Sequence, residues 1–146
     1  MTSSTYIGVD FGHKKIGVAV GQDLTGTTQG LATLSVTSTG SHLDQLIDYA
    51  RQWQVNGFVI GLPLDGNGAE TGLSRQVRGF AKQLRKKSQL PVYWVNEHLT
   101  SQSAHQQLRE TLAHGKRYNR KKQSRRDQLA AELILRSYLE YADPES

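Results

Sequence analysis

The chain has 146 residues, 36% of them hydrophobic and 21% charged, and no cysteine. That length can bury a core without disulfides or a structural metal. The composition is that of a soluble globular chain rather than a disordered one, and the missing thiols exclude disulfides, a cysteine nucleophile and a thiolate zinc site.

The formal net charge of +5 is unevenly spread. Lys116, Arg117, Arg120, Lys121, Lys122, Arg125 and Arg126 fall in one segment without an acid, and the remaining bases are outnumbered by the 13 acids. A local basic patch suits phosphate-backbone binding, because each neutralised phosphate releases counterions. No apolar run approaches the ~20 residues that cross a bilayer. Met1-Thr-Ser-Ser-Thr5 lacks the basic-then-apolar pattern of a secretion signal. A cytoplasmic protein with no membrane partner is expected.

Residues 6–11 and 16–21 read as strands. The turn Gly12-His13-Lys14 between them is too short for a helical crossover, so they should pair as an antiparallel hairpin. A third strand is expected near 29–36. Ser41 should open a helix, with Asp44 completing a capping box and Leu43, Leu46, Ile47 and Ala50 on its apolar face. The wholly apolar run Phe58-Val-Ile-Gly-Leu62, ended by Pro63, reads as a buried parallel strand. A Gly-rich loop over 64–72 precedes a helix from Ser74 to Lys87, and Pro91–Val95 is another strand. A helix from Thr100 or Ser101 to His114, the basic segment, and a last helix from Arg126 to Tyr141 complete the chain. No repeat or linker divides it, and residues 1–146 are expected to form a single domain. This order implies a mixed sheet with helices on its faces.

Three carboxylates can meet at one edge of such a sheet. Ligands of open α/β sheets collect at the carboxyl ends of strands. Asp10 ends the first strand and Glu97 follows the fifth. Asp127 lies on the same helical face as Ala131, Ile134 and Tyr138, so it should point at the sheet. The alternative for Asp127 is an N-cap of the last helix, and for Glu97 a solvated loop acid. Oxygen ligands of this kind suit Mg²⁺ or Mn²⁺. Lys14 and Lys15, beside the first acid, are placed to meet a phosphate. The five histidines lack paired metal-ligand spacing.

Gly8-Val-Asp10-Phe-Gly12-His-Lys14-Lys15-Ile-Gly17-Val-Ala19 at the start carries the first part of a family resemblance. Val59-Ile-Gly61-Leu-Pro63-Leu with Arg78-Gly-Phe80-Ala81 carries the second. Asn96-Glu97-His-Leu-Thr100-Ser and the closing Asp127-Gln-Leu-Ala130-Ala131-Glu-Leu-Ile134-Leu-Arg-Ser-Tyr138-Leu139 carry the third. Together, and in this order, they resemble the YqgF (RuvX) family of RNase H-like proteins over nearly the whole chain. The resemblance implies an RNase H-like α/β fold: a five-stranded mixed sheet flanked by helices on both faces. It also implies a divalent-metal nuclease whose catalytic and metal-holding acids correspond to Asp10, Glu97 and Asp127. The substrate implied is the 5′ end of precursor 16S rRNA, with a Holliday junction resolvase cutting branched DNA as the alternative.

The chain departs from the family pattern at His13-Lys14-Lys15, Asn96-Glu97-His98 and Asp65-Gly-Asn67-Gly68. The first two changes replace arginines, whose bidentate fork neither lysine nor histidine reproduces. The dense basic segment before Asp127 can compensate. Two readings outside the nucleases stand beside these. One is a non-catalytic RNA-binding factor using the basic segment alone. The other is a sugar-kinase-like or actin-like ATPase, which shares the Asp-x-Gly hairpin but encloses its nucleotide between two domains.

Overall fold

Alternation within the strands gives the sheet two chemically different faces, and that difference positions everything else. The computed structural model describes residues 3–96 and 120–141, with backbone alone at 120–123 and 141. The strands are β1 (Thr5–Phe11), β2 (Lys15–Gln22), β3 (Thr28–Ser35), β4 (Gly57–Leu62) and β5 (Val92–Asn96). The helices are α1 (Ser41–Trp53), α2 (Gly72–Ser88) and α3 (Arg120–Tyr141). The strands form one sheet in the order β3-β2-β1-β4-β5. β1 pairs antiparallel with β2 and parallel with β4, which pairs parallel with β5. The expected mixed sheet and opening hairpin are therefore present.

On one face Ile7, Val9, Ile16, Val18, Phe58 and Ile60 are buried beneath Leu43, Leu46 and Ala50 of α1 and Val77, Phe80, Ala81 and Leu84 of α2. These are large apolar side chains at alternate positions, each worth ~1.5–3 kcal/mol when removed from water. On the other face Val59, Ile134 and Leu135 form a smaller cluster with Tyr6, Tyr93, Tyr138 and Leu139. Here α3 covers the sheet, so helices flank both faces.

Two local expectations change. The helix α1 begins at Ser41, but its cap is Gly40 at φ 79° with no side-chain hydrogen bond, so the Ser41/Asp44 capping box does not form. Thr37 takes that part instead, its Oγ1 accepting from the Ser41 amide at 3.1 Å. A capping box does form at α2, between Thr71 and Ser74. The last helix starts at Arg120 rather than Arg126. Lysine and arginine are good helix formers, and neither Gly nor Pro interrupts 120–127, so the charge run continues the helix. Asp127 therefore lies two turns inside α3, which removes the N-cap reading. The helix expected over 100–114 lies outside the described residues.

Candidate active site

Asp10 sits in the row directly opposite Gly17 of β2. Residues so paired point to the same face of a sheet. A Cβ on Gly17 would lie 1.9 Å from the carbonyl oxygen of Asp127. The missing side chain at 17 thus lets the α3 backbone rest on the sheet beside Asp10. Gly8, two residues before Asp10 on the same face, does the same one turn further along. A Cβ there would meet the Ala131 carbonyl at 2.7 Å and the Leu135 Cβ at 2.8 Å. Two glycines thereby bring Asp10 and Asp127 onto one patch. Asp127 is partly buried, and its Oδ2 is fully buried.

Side chains fix the register of α3 against the outer strands. Thr33 Oγ1 donates to the Ser124 carbonyl at 2.8 Å, and Ser124 Oγ donates to Thr33 Oγ1 at 3.0 Å. At the far end Tyr138 meets Tyr6 and Tyr93 with ring centroids 5.4 and 5.2 Å away. Burial, helped by those two neighbours, pushes the Tyr138 phenol up to about 12. A helix pinned at both ends holds Asp127 at a fixed height above β1 and β2.

The third acid, Glu97, lies outside the described residues, as do Lys116 and Arg117. The strand that precedes Glu97, β5, is described. Val9, Ile60 and Trp94 form one row across β1, β4 and β5, and β5 ends at Asn96, beside Leu62. Asp10 and the end of β5 are thus at the same edge of the sheet. Among the described residues no three acids or histidines form a metal cluster. Asp10 and Asp127 are among those residues, and Glu97 is not. Asp10 and Asp127 supply hard oxygen donors, which fit Mg²⁺ or Mn²⁺.

The bases separate by position. Lys15 is on the same face as Gly17 by alternation, and its Nζ donates to Ser35 Oγ at 2.9 Å. Lys14 is exposed in the hairpin turn. Arg120, Lys121, Lys122, Arg125 and Arg126 occupy the first two turns of α3, with Arg125 exposed and Arg126 half-buried. A second basic element escapes the charge count that favours 116–126. The helix α2 carries Arg75, Arg78, Lys82, Arg85, Lys86 and Lys87 and no acid. Their spacing was the available signal, masked by acids elsewhere in the chain.

A family model described as "RuvX: Holliday junction resolvase" matches residues 4–141. The chain belongs to the RuvX family. Curated relatives agree. One from Methylobacillus flagellatus is 37% identical over 92% of this chain and 89% of its own length. One from Colwellia psychrerythraea is 38% identical over 93% and 89%. Both carry the name "Putative pre-16S rRNA nuclease". Among solved structures, T. thermophilus RuvC in complex with Holliday junction substrate superposes with a TM-score of 0.54 at 14% identity, over 94% of this chain and 95% of RuvC. The likeness to RuvC establishes the RNase H-like fold of this RuvX chain. Among its described residues no helix is long and apolar enough to cross a membrane.

Proposed function

We propose that the chain is a cytoplasmic, single-domain nuclease that hydrolyses phosphodiester bonds at the 5′ end of precursor 16S rRNA. The observation that carries this reading is the convergence of Asp10 and Asp127 on one patch at the carboxyl edge of β1, enforced by Gly17 and Gly8. The relatives' shared name supplies the substrate.

Asp10, Glu97 and Asp127 would hold one or two Mg²⁺ or Mn²⁺ ions. Such an ion supplies Lewis acidity for activating water and for stabilising the leaving oxygen. All three acids act ionised, so none serves as a general acid. Lys15, on the face of Asp10 and Asp127, contacts the phosphate of the scissile strand, and Lys14 supports it from the turn. Lys116, Arg117, Arg120, Lys121, Lys122, Arg125 and Arg126 hold the backbone further out.

The resolvase reading is favoured by the description of the family model. Cutting two opposed strands symmetrically calls for a two-fold dimer. One assay separates the readings: wild type and Asp10→Asn, with Mg²⁺ or Mn²⁺, on a 16S precursor leader and on a four-way DNA junction. Leader trimming that disappears in Asp10→Asn is the expected result. Paired symmetric cuts on the junction alone would establish the resolvase. RNA binding by both proteins without metal-dependent cleavage would leave a non-catalytic binding factor.

A further inference from the structure

The charge on α2 is arranged as a row. At 3.6 residues per turn, Arg75, Arg78, Lys82, Arg85 and Lys86 fall within an arc of about 100°. That arc flanks the buried one formed by Ser74, Val77, Phe80, Ala81 and Leu84. Lys87 falls on the opposite flank, 3.9 Å from Asp44 of α1. The row therefore lies on the side of α2 away from α1. All five of its members are exposed.

Arg78 fixes what the row faces. Its guanidinium stands 5.3 Å above the ring of Trp94 in β5. Trp94 is level with Val9 and Ile60, both fully buried, yet is itself 38% exposed. Among the described residues β5 is the last strand of the sheet on that side. An indole left half in water on an edge strand, next to a line of cations, is not explained by core packing.

The helix does not need this row for its own stability. Like charges three and four residues apart destabilise a helix. The dipole favours cations at Arg85 and Lys86 but disfavours one as early as Arg75. Only Arg78 has an acidic partner among the described side chains of the row, Glu70 in the preceding loop.

We propose that the α2 row and Trp94 form a track for single-stranded RNA, with phosphates on Arg75, Arg78, Lys82 and Arg85 and an unpaired base stacked on Trp94. A basic groove combined with an aromatic face is the general solution for single strands. Stacking requires an unpaired base, which a duplex does not offer. Glu70 competes with phosphate for the Arg78 fork. The track lies on the face opposite Asp10 and Asp127, and Trp94 is two residues from the end of β5. A strand lying on it would round the carboxyl edge of the sheet to reach the acids. This inference rests on the RNA-nuclease reading for its substrate and adds the single-stranded form.

The test uses the full chain in EDTA, so that binding is read without cleavage. The chain has two tryptophans, and Trp53→Phe leaves Trp94 as the reporter. A short uridine-rich RNA should quench its emission, and the same sequence annealed into a duplex should not. Trp94→Ala should weaken binding roughly tenfold, while Trp94→Phe, which keeps a stacking face, should restore most of it. Lys82→Gln with Arg85→Gln should reduce the slope of log affinity against log salt by about 1.4. Glu70→Gln should tighten binding. Unchanged Trp94 emission at saturating RNA, or affinity within twofold in Trp94→Ala, would overturn the track, as would equal quenching by the duplex. Metal-dependent cleavage by Asp10→Asn is scored separately. Quenching together with undiminished cleavage by Asp10→Asn would sink the assigned acids and leave the track standing.

Discussion

The two faces of this sheet are built on opposite principles. Beneath α1 and α2 the strands offer Ile7, Val9, Ile16, Val18, Phe58 and Ile60, and the helices stand off on bulky side chains. Beneath α3 the same strands offer Gly8, Gly17, Gly21 and Gly30, where an added Cβ would come within 3.0 Å of α3 at every position. The first face gains stability from apolar area. The second gives up area to bring a helix backbone onto the sheet, and the two described acids are on that side. Bulk fixes the fold, and the absence of bulk fixes the distance between Asp10 and Asp127.

The sharpest way to break that comparison is Gly17→Ala. Its methyl would collide with the Asp127 carbonyl, so α3 must lift. A loss of about 3 kcal/mol is expected from denaturant unfolding, the upper end of overpacking costs. Cleavage per folded molecule should fall as well, because the two acids separate. Phe58→Leu on the other face should cost about 1 kcal/mol. Its cleavage rate at a temperature where both proteins are folded should match wild type. Equal activity losses in these two variants would show that the faces are not functionally distinct.

A smaller effect of opposite sign is expected at Gly79, in the middle of α2, where a Cβ would meet nothing within 4 Å. Gly79→Ala should raise stability by about 0.5–1 kcal/mol in the same unfolding measurement. A destabilised Gly79→Ala would mean that glycine is used for close approach on both faces.

The smallest effect is a pH dependence confined to the α1/α2 face. His42 is buried, 6.0 Å from the Phe80 ring, and its Nδ1 accepts from the Thr37 amide at 3.3 Å. Burial holds its pKa below 6.5, with Asp44 opposing. Folding therefore disfavours the protonated imidazole. The stability this neutral histidine contributes is complete above its unfolded pKa and is lost as pH falls through the folded one. Melting temperatures taken between about pH 7.5 and 5.5 should fall for wild type and flatten in His42→Gln. An identical slope in both would assign the dependence to other groups.

Much was determined by local sequence. Short apolar runs bounded by turn residues mark the described strands, and the wholly apolar Phe58–Leu62 run marks β4 as the strand buried on both faces. The apolar stripe through Ala131, Ile134 and Tyr138 aims Asp127 at the sheet, because helical periodicity ties those positions to one face. The order of the motifs carries the family. Other features belong to the tertiary structure alone. The six bases of α2 are visible as letters, but only the packing of α2 shows that five of them turn away from α1 and that Arg78 among them stands over Trp94. The start of α3 at Arg120 was hidden because a charge run reads equally as loop or helix until something packs against it. The roles of Gly8 and Gly17 were equally invisible. A glycine in a strand records only a missing side chain, and the helix that fills the space comes from more than 100 residues further along the chain.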